Sequence, residues 1–298
     1  MIGIDNSVPT PSLARQAISI LAGALGGFAS GLIAVSILLG VLGIFDLRPL
    51  TDSERLSVFE NGALYTAELA IILLALAVGF VGTAGAVLKR PFVEWLTDGR
   101  GLRFDLCLYG LTLGAAATLA GLIGNAAIDG DRLGFIGSTP SGLAPGIWVY
   151  LVAMPLGFLV AAFAEELFFR GYLLKLLRWW GAHPVVAITV TSIAFAAFHL
   201  EFQPEVFALR MLSGAALAWS VYRLGGIEFA VGAHAAGNIV LAFFIPPLSE
   251  TTTSSADLYG VGIEILTSAM IIIGVEVVRA RLSFRADTFS LWAKEGGT

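Results

Sequence analysis

Long apolar runs parted by short polar ones make up almost the whole chain. With about 20 residues taken as the length that crosses a bilayer, the candidate spans are roughly 16–45, 61–88, 105–128, 145–178, 184–200, 204–223, 226–246 and 259–281. The pattern predicts an all-α fold, a polytopic membrane bundle of about eight transmembrane helices in a single membrane domain. The first run places Gly23, Gly27 and Gly31 four residues apart, a small-residue ridge suited to close helix packing. Glu68 lies in the second run, near one end. The stretch from Lys89 to Asp105 is polar, is broken by Pro91, Gly99 and Gly101, and carries Trp95, which suggests a segment riding at the membrane interface. Asp129 to Pro145 is rich in Gly, Ser, Thr and Pro and reads as a loop. It separates three N-terminal packing helices (1–142) from a core (143–247) that carries the reactive groups; a last helix and tail follow (248–298).

Composition agrees with a membrane protein. Of 298 residues, 57% are hydrophobic and 13% charged, and the mean hydropathy is +0.86; a soluble domain carries roughly 25% charged residues. No basic run points to nucleic acid. The lone Cys107 provides neither a disulfide framework nor a thiolate metal cluster. The first apolar stretch is too long for a cleaved signal and is expected to be a retained helix. Lys and Arg divide between the two sides as thirteen against four (Arg48, Arg55, Arg132 and Arg210), which predicts a multi-pass cell-membrane protein with both termini cytoplasmic.

Candidate chemistry begins where Glu165, Glu166 and Arg170 follow the uncharged run Leu143 to Ala164. Ionisable groups in or beside lipid are costly and mark functional sites by default. Glu166 and Arg170 are four apart, so they can pair on one helix face, while Glu165 is turned about 100° away. The fourth and fifth runs form a hairpin turning near Gly181 to Pro184. Glu165 lies 17 residues before Ala182 and His199 17 after it, which places both roughly 25 Å from the turn. Phe195 and His199 share a face, as do His234 and Asn238 on the seventh run. His183, the third histidine, precedes Pro184 and reads as a loop residue; Trp179 and Trp180 mark the interface. A buried glutamate suits a general base, an imidazole helps activate water, and an imidazole with an amide N–H stabilises a tetrahedral oxyanion. The set therefore suits amide hydrolysis without a Ser or Cys nucleophile. Glu165, His199 and His234 could instead ligate zinc; no H-E-x-x-H motif is present.

Glu165-Glu166-x-x-x-Arg170, Phe195-x-x-x-His199 and His234-x-x-x-Asn238, in that order on successive apolar runs, resemble the three motifs of the CAAX prenyl endopeptidase and bacteriocin-processing (CPBP, Abi) family of intramembrane proteases. The resemblance covers roughly 145–247. It implies that Glu165 activates water with His199 as its partner, that His234 and Asn238 bind the oxyanion, and that Glu166, Arg170 and Phe195 support the site. It also implies a peptide or protein substrate at the membrane, plain or lipidated, among membrane lipid, with either a zinc metalloprotease mechanism or a metal-free glutamate mechanism. The competing expectations are a non-enzymatic immunity or scaffold protein on the same fold and a proton- or ion-coupled transporter.

Overall fold

The computed structural model describes residues 10–44, 56–97, 101–129, 134–136, 138–139, 142–245 and 258–295. The apolar runs become helices because a segment in lipid must satisfy its own backbone N–H and C=O groups. The long ones are α1 (Leu13–Ile44), α2 (Val58–Leu88), α4 (Phe104–Asp129), α5 (Ile147–Glu166), α8 (Pro204–Leu224) and α10 (Leu258–Glu295). Shorter ones are α3 (Val93–Leu96), α6 (Leu174–Trp179), α7 (Pro184–Phe198) and α9 (Glu228–Phe244). Ser138–Thr139 and Gly142–Leu143 form a two-residue antiparallel pair inside the predicted loop. Helices thus stand at every expected span, and among the described residues four stretches are long and apolar enough to cross a bilayer: 13–44, 58–88, 104–127 and 147–179. Of the cations behind the orientation expectation, Arg48, Arg55, Arg100 and Arg132 lie outside the described residues.

Local chemistry sets the helix ends. Ser57 and Glu60 form a reciprocal capping box at the start of α2. Pro184 and Pro204 open α7 and α8, where a missing N–H costs nothing. His183 is the N-cap of α7, its Nδ1 accepting from the Val185 N–H at 3.4 Å. Gly225 ends α8 at φ 84°, a left-handed geometry that glycine adopts freely, and turns the chain into α9.

Two seams of small residues hold the bundle. On α1, the expected ridge faces α2: a Cβ at Gly23 would stand 2.8 Å from the Phe80 ring, and one at Gly31 2.7 Å from Leu76. On α4, Gly110 and Gly114 let the backbone of α9 approach at Phe229 and Ala233, and Gly232 of α9 returns the contact at Cys107. The segment expected at the interface is packed into the protein. Trp95 on α3 is 1% exposed, with its ring 5.4 Å from Tyr172 and 5.5 Å from Trp179. The Lys175 ammonium binds the Glu94 and Thr97 carbonyls at the end of α3, and the Ile227 N–H donates to Leu96 O at 2.9 Å. These bonds fasten α3 between α6 and the start of α9. Trp95 is in the core because its neighbours are aromatic and its segment's carbonyls are paired by protein rather than water.

Candidate active site

The fourth run is not a uniform α-helix. Residues Leu167–Leu173 form a π-helical segment between α5 and α6. A π turn widens the helix by one residue per hydrogen bond and is common at functional sites. Here it contains Arg170 and Gly171, and Gly171 lets the segment approach the backbone of α3, since a Cβ there would be 2.6 Å from Trp95 O.

Glu166 and Arg170 pair as their spacing predicts, at 3.0 Å, and both side chains are fully buried. The pair has two further partners from distant elements. Arg170 donates to Gly214 O on α8 at 3.0 Å, and Glu166 Oε1 accepts from His234 Nδ1 on α9 at 3.0 Å. A Cβ at Gly214 would be 3.2 Å from both Phe195 and Ser192, so this glycine lets α8 come close enough to α7 to present its carbonyl. Neither partner has a local signal: Glu166 and His234 are 68 positions apart, and a backbone carbonyl leaves no trace in a residue pattern.

The Phe195 ring is the hub. Its centroid is 4.8 Å from that of His199 and 5.7 Å from that of His234, and the Arg170 guanidinium lies over its face at 4.4 Å. Packing, cation–π attraction and the ring's own burial hold the groups of three helices around one side chain. His199 caps α7, and its Nδ1 faces Phe195 O at 2.9 Å. A carbonyl only accepts, so Nδ1 carries the hydrogen and Nε2 is left for other work. The same logic applies at His234, whose Nδ1 donates to the Glu166 carboxylate.

Glu165 points elsewhere, as its rotation predicts. Its Oε2 is buried without a hydrogen-bond partner and lies 4.0 Å from His234 Nε2. That gap exceeds a direct hydrogen bond and is of the order that one shared water bridges. Of the two site histidines, His234 is thus the one within 4.0 Å of Glu165. Asn238 follows one turn later on α9, half-buried. Beyond His199, Arg210 of α8 donates twice to Glu201 Oε2, at 3.2 and 3.1 Å, an ion pair that the residue pattern did not suggest.

Among the described residues no three His, Cys, Asp or Glu side chains are grouped so as to hold an ion. Glu166 and both Nδ1 atoms are engaged within the protein, so an ion would have to be reached through the two Nε2 atoms and Glu165. As placed, Glu165, His199 and His234 are not drawn together into such a group.

Residues 147–240 match the family described as type II CAAX prenyl endopeptidase Rce1-like. The segment is Rce1-like. The match falls on the same stretch as the three motifs and agrees with the resemblance they carry. The chain is also 27% identical over 166 residues to the "Uncharacterized protein YyaK" of Bacillus subtilis (strain 168). That similarity covers 53% of this chain and 54% of the relative, so the chain spans about half the length of the curated relative it matches. The Rce1-like segment runs from α5 into α9 and contains every candidate site residue, from Glu165 to Asn238. The helices α1, α2, α4 and α10 lie outside it.

Proposed function

We propose that this site hydrolyses a peptide bond of a peptide or protein held at the membrane, with Glu165 as the base that activates water. The observation that carries the reading is the Glu165 carboxylate oxygen, buried without a hydrogen-bond partner and 4.0 Å from His234 Nε2. An idle buried carboxylate is expensive, so a reactant in that gap is the economical explanation.

The water attacks the scissile carbonyl carbon and its proton passes to Glu165. His199, with Nδ1–H tied to Phe195 O, turns its Nε2 lone pair to orienting that water. The developing oxyanion is met by His234, which donates through Nε2 when protonated, and by the Asn238 amide N–H. Glu166 fixes the His234 ring and balances its charge, and Arg170 balances Glu166 in turn. Collapse of the tetrahedral species breaks the C–N bond, and the proton on Glu165 goes to the leaving amine. Phe195 packs against both imidazoles and fixes their separation. The orientation with both termini cytoplasmic, and a lipidated substrate, belong to this proposal.

The test is cleavage of fluorogenic peptides, plain and lipidated, by the purified protein in liposomes. Wild type cleaves; Glu165→Gln, shown to be folded by its melting curve, does not. Full activity in Glu165→Gln would overturn the reading.

A further inference from the structure

Leu200, the residue after His199, has φ 58°. That is the left-handed region, which glycine adopts freely and leucine only at a steric cost. The turn it makes closes α7: the His199 N–H donates to Ala196 O at 3.2 Å and the Leu200 N–H to Ala197 O at 3.1 Å. Glycine is the usual residue just past a helix C-cap for this reason. Packing does not hold Leu200 in place, since 76% of it is exposed. Two contacts that cross the connection from α7 to α8 do so instead. Glu201 accepts twice from Arg210 on α8, at 3.2 and 3.1 Å, and Phe202 stacks on Phe207 with centroids 6.2 Å apart. Glu264 of α10, which accepts from Ser268 at 3.1 Å, acts electrostatically on Arg210 as well. The guanidinium is thus engaged by carboxylates of the connection and of α10. Backbone strain persists only where the surroundings over-determine it, and it collects beside reactive groups.

We propose that Arg210 is a positioning residue for His199: through Glu201 it holds the strained turn at Leu200, and that turn fixes where the imidazole stands. The kinetic consequence rests on the hydrolytic reading of the site. The link is short. His199 Nδ1 is tied to Phe195 O one turn back, so the ring follows the last turn of α7, and the Leu200 N–H closes that turn. Without the clasp Leu200 relaxes to negative φ, the closing bonds open, and the ring loses its register with Glu165 and His234. Glu264 brings α10, outside the matched segment 147–240, into the same clasp.

The experiment uses the full chain in liposomes and two readouts: hydrogen–deuterium exchange over 196–203 by mass spectrometry, and kcat and KM on the fluorogenic peptides. The first variant is Glu201→Ala. It opens the clasp and keeps the Arg210 cation, which also acts on the His199 ring electrostatically. Exchange at 199–201 rises about tenfold, the factor to which the strain of a left-handed leucine corresponds. The kcat falls by about 10²-fold, the scale on which a misplacement of about 1 Å acts, with KM little changed. Adding Leu200→Gly, which takes this φ without strain, restores slow exchange and most of kcat, a rescue that an ion pair serving stability alone would not show. Leu200→Val keeps both charges and carries the test should Glu201→Ala fail to fold; a β-branched residue resists positive φ, so it too speeds exchange and lowers kcat. Exchange unchanged in both Glu201→Ala and Leu200→Val, or no rescue by Leu200→Gly, overturns the proposal. Faster exchange with unaltered kcat separates the turn from His199 and overturns it as well. Exchange that rises and is rescued as stated, when wild type cleaves no peptide, upholds the clasp and sinks the hydrolytic reading.

Discussion

Between α1 and α2 two helices approach by leaving side chains out; at the junction of α5, α7, α8 and α9 they approach by pairing charges. The first seam is Gly23, Gly27 and Gly31 against Phe80 and Leu76. The second is Glu166, bonded at once to Arg170 and His234, with Arg170 reaching Gly214 O. The difference lies in how each seam fails. Apolar contacts are lost gradually, since each atom pair contributes little. A buried ion stripped of its partner keeps the full cost of its desolvation. The polar junction therefore tolerates little and holds its groups to one geometry, which suits a site that must aim a carboxylate and two imidazoles at one reactant.

Five substitutions would break or sharpen that contrast. Glu165→Gln should have the largest effect on activity, a loss of about 10³-fold on the scale of general acid–base contributions, with the melting temperature near wild type because Oε2 has no bond to lose. Peptide cleavage beside a thermal melt checks both halves. Arg170→Met should have the largest effect on stability, about 3–5 kcal/mol, read by thermal or denaturant unfolding in detergent. Adding Glu166→Gln to it should recover part of the loss, because the pair is then removed together; a double variant as unstable as the sum of the singles would refute the coupling. Gly31→Val at the apolar seam should cost about 1–3 kcal/mol by overpacking against Leu76, with activity falling only as far as the folded fraction falls. Tyr172→Phe, which breaks the 2.9 Å bond to Ser19, should be the smallest, about 0.6 kcal/mol as for interhelical hydrogen bonds in membranes.

The legible part of this protein was local. Helix positions follow from apolar runs, because a bilayer leaves the backbone no other partner. The Glu166–Arg170 pair and the ridge on α1 follow from four-residue spacing, because helix geometry puts such residues on one face. The ordered motifs at Glu165, His199 and His234 named the family that the match over 147–240 supports. The equal distance of Glu165 and His199 from the hairpin turn suggested them as partners, yet depth along a helix does not specify rotation about it, and the histidine within 4.0 Å of Glu165 is His234. The Gly110 and Gly114 seam was written in the same small-residue spacing and became meaningful only with α9 lying across it.

By itself, then, the sequence determined which segments are helices and which few side chains carry charge into them, because both depend on neighbours a turn or two away. Only the tertiary structure decided that Glu166 holds His234, that Gly214 supplies a carbonyl to Arg170 and that Trp95 is core. Those depend on how helices rotate and cross. That is set by the sum of many weak contacts between residues far apart in the chain, with no single spacing to announce it.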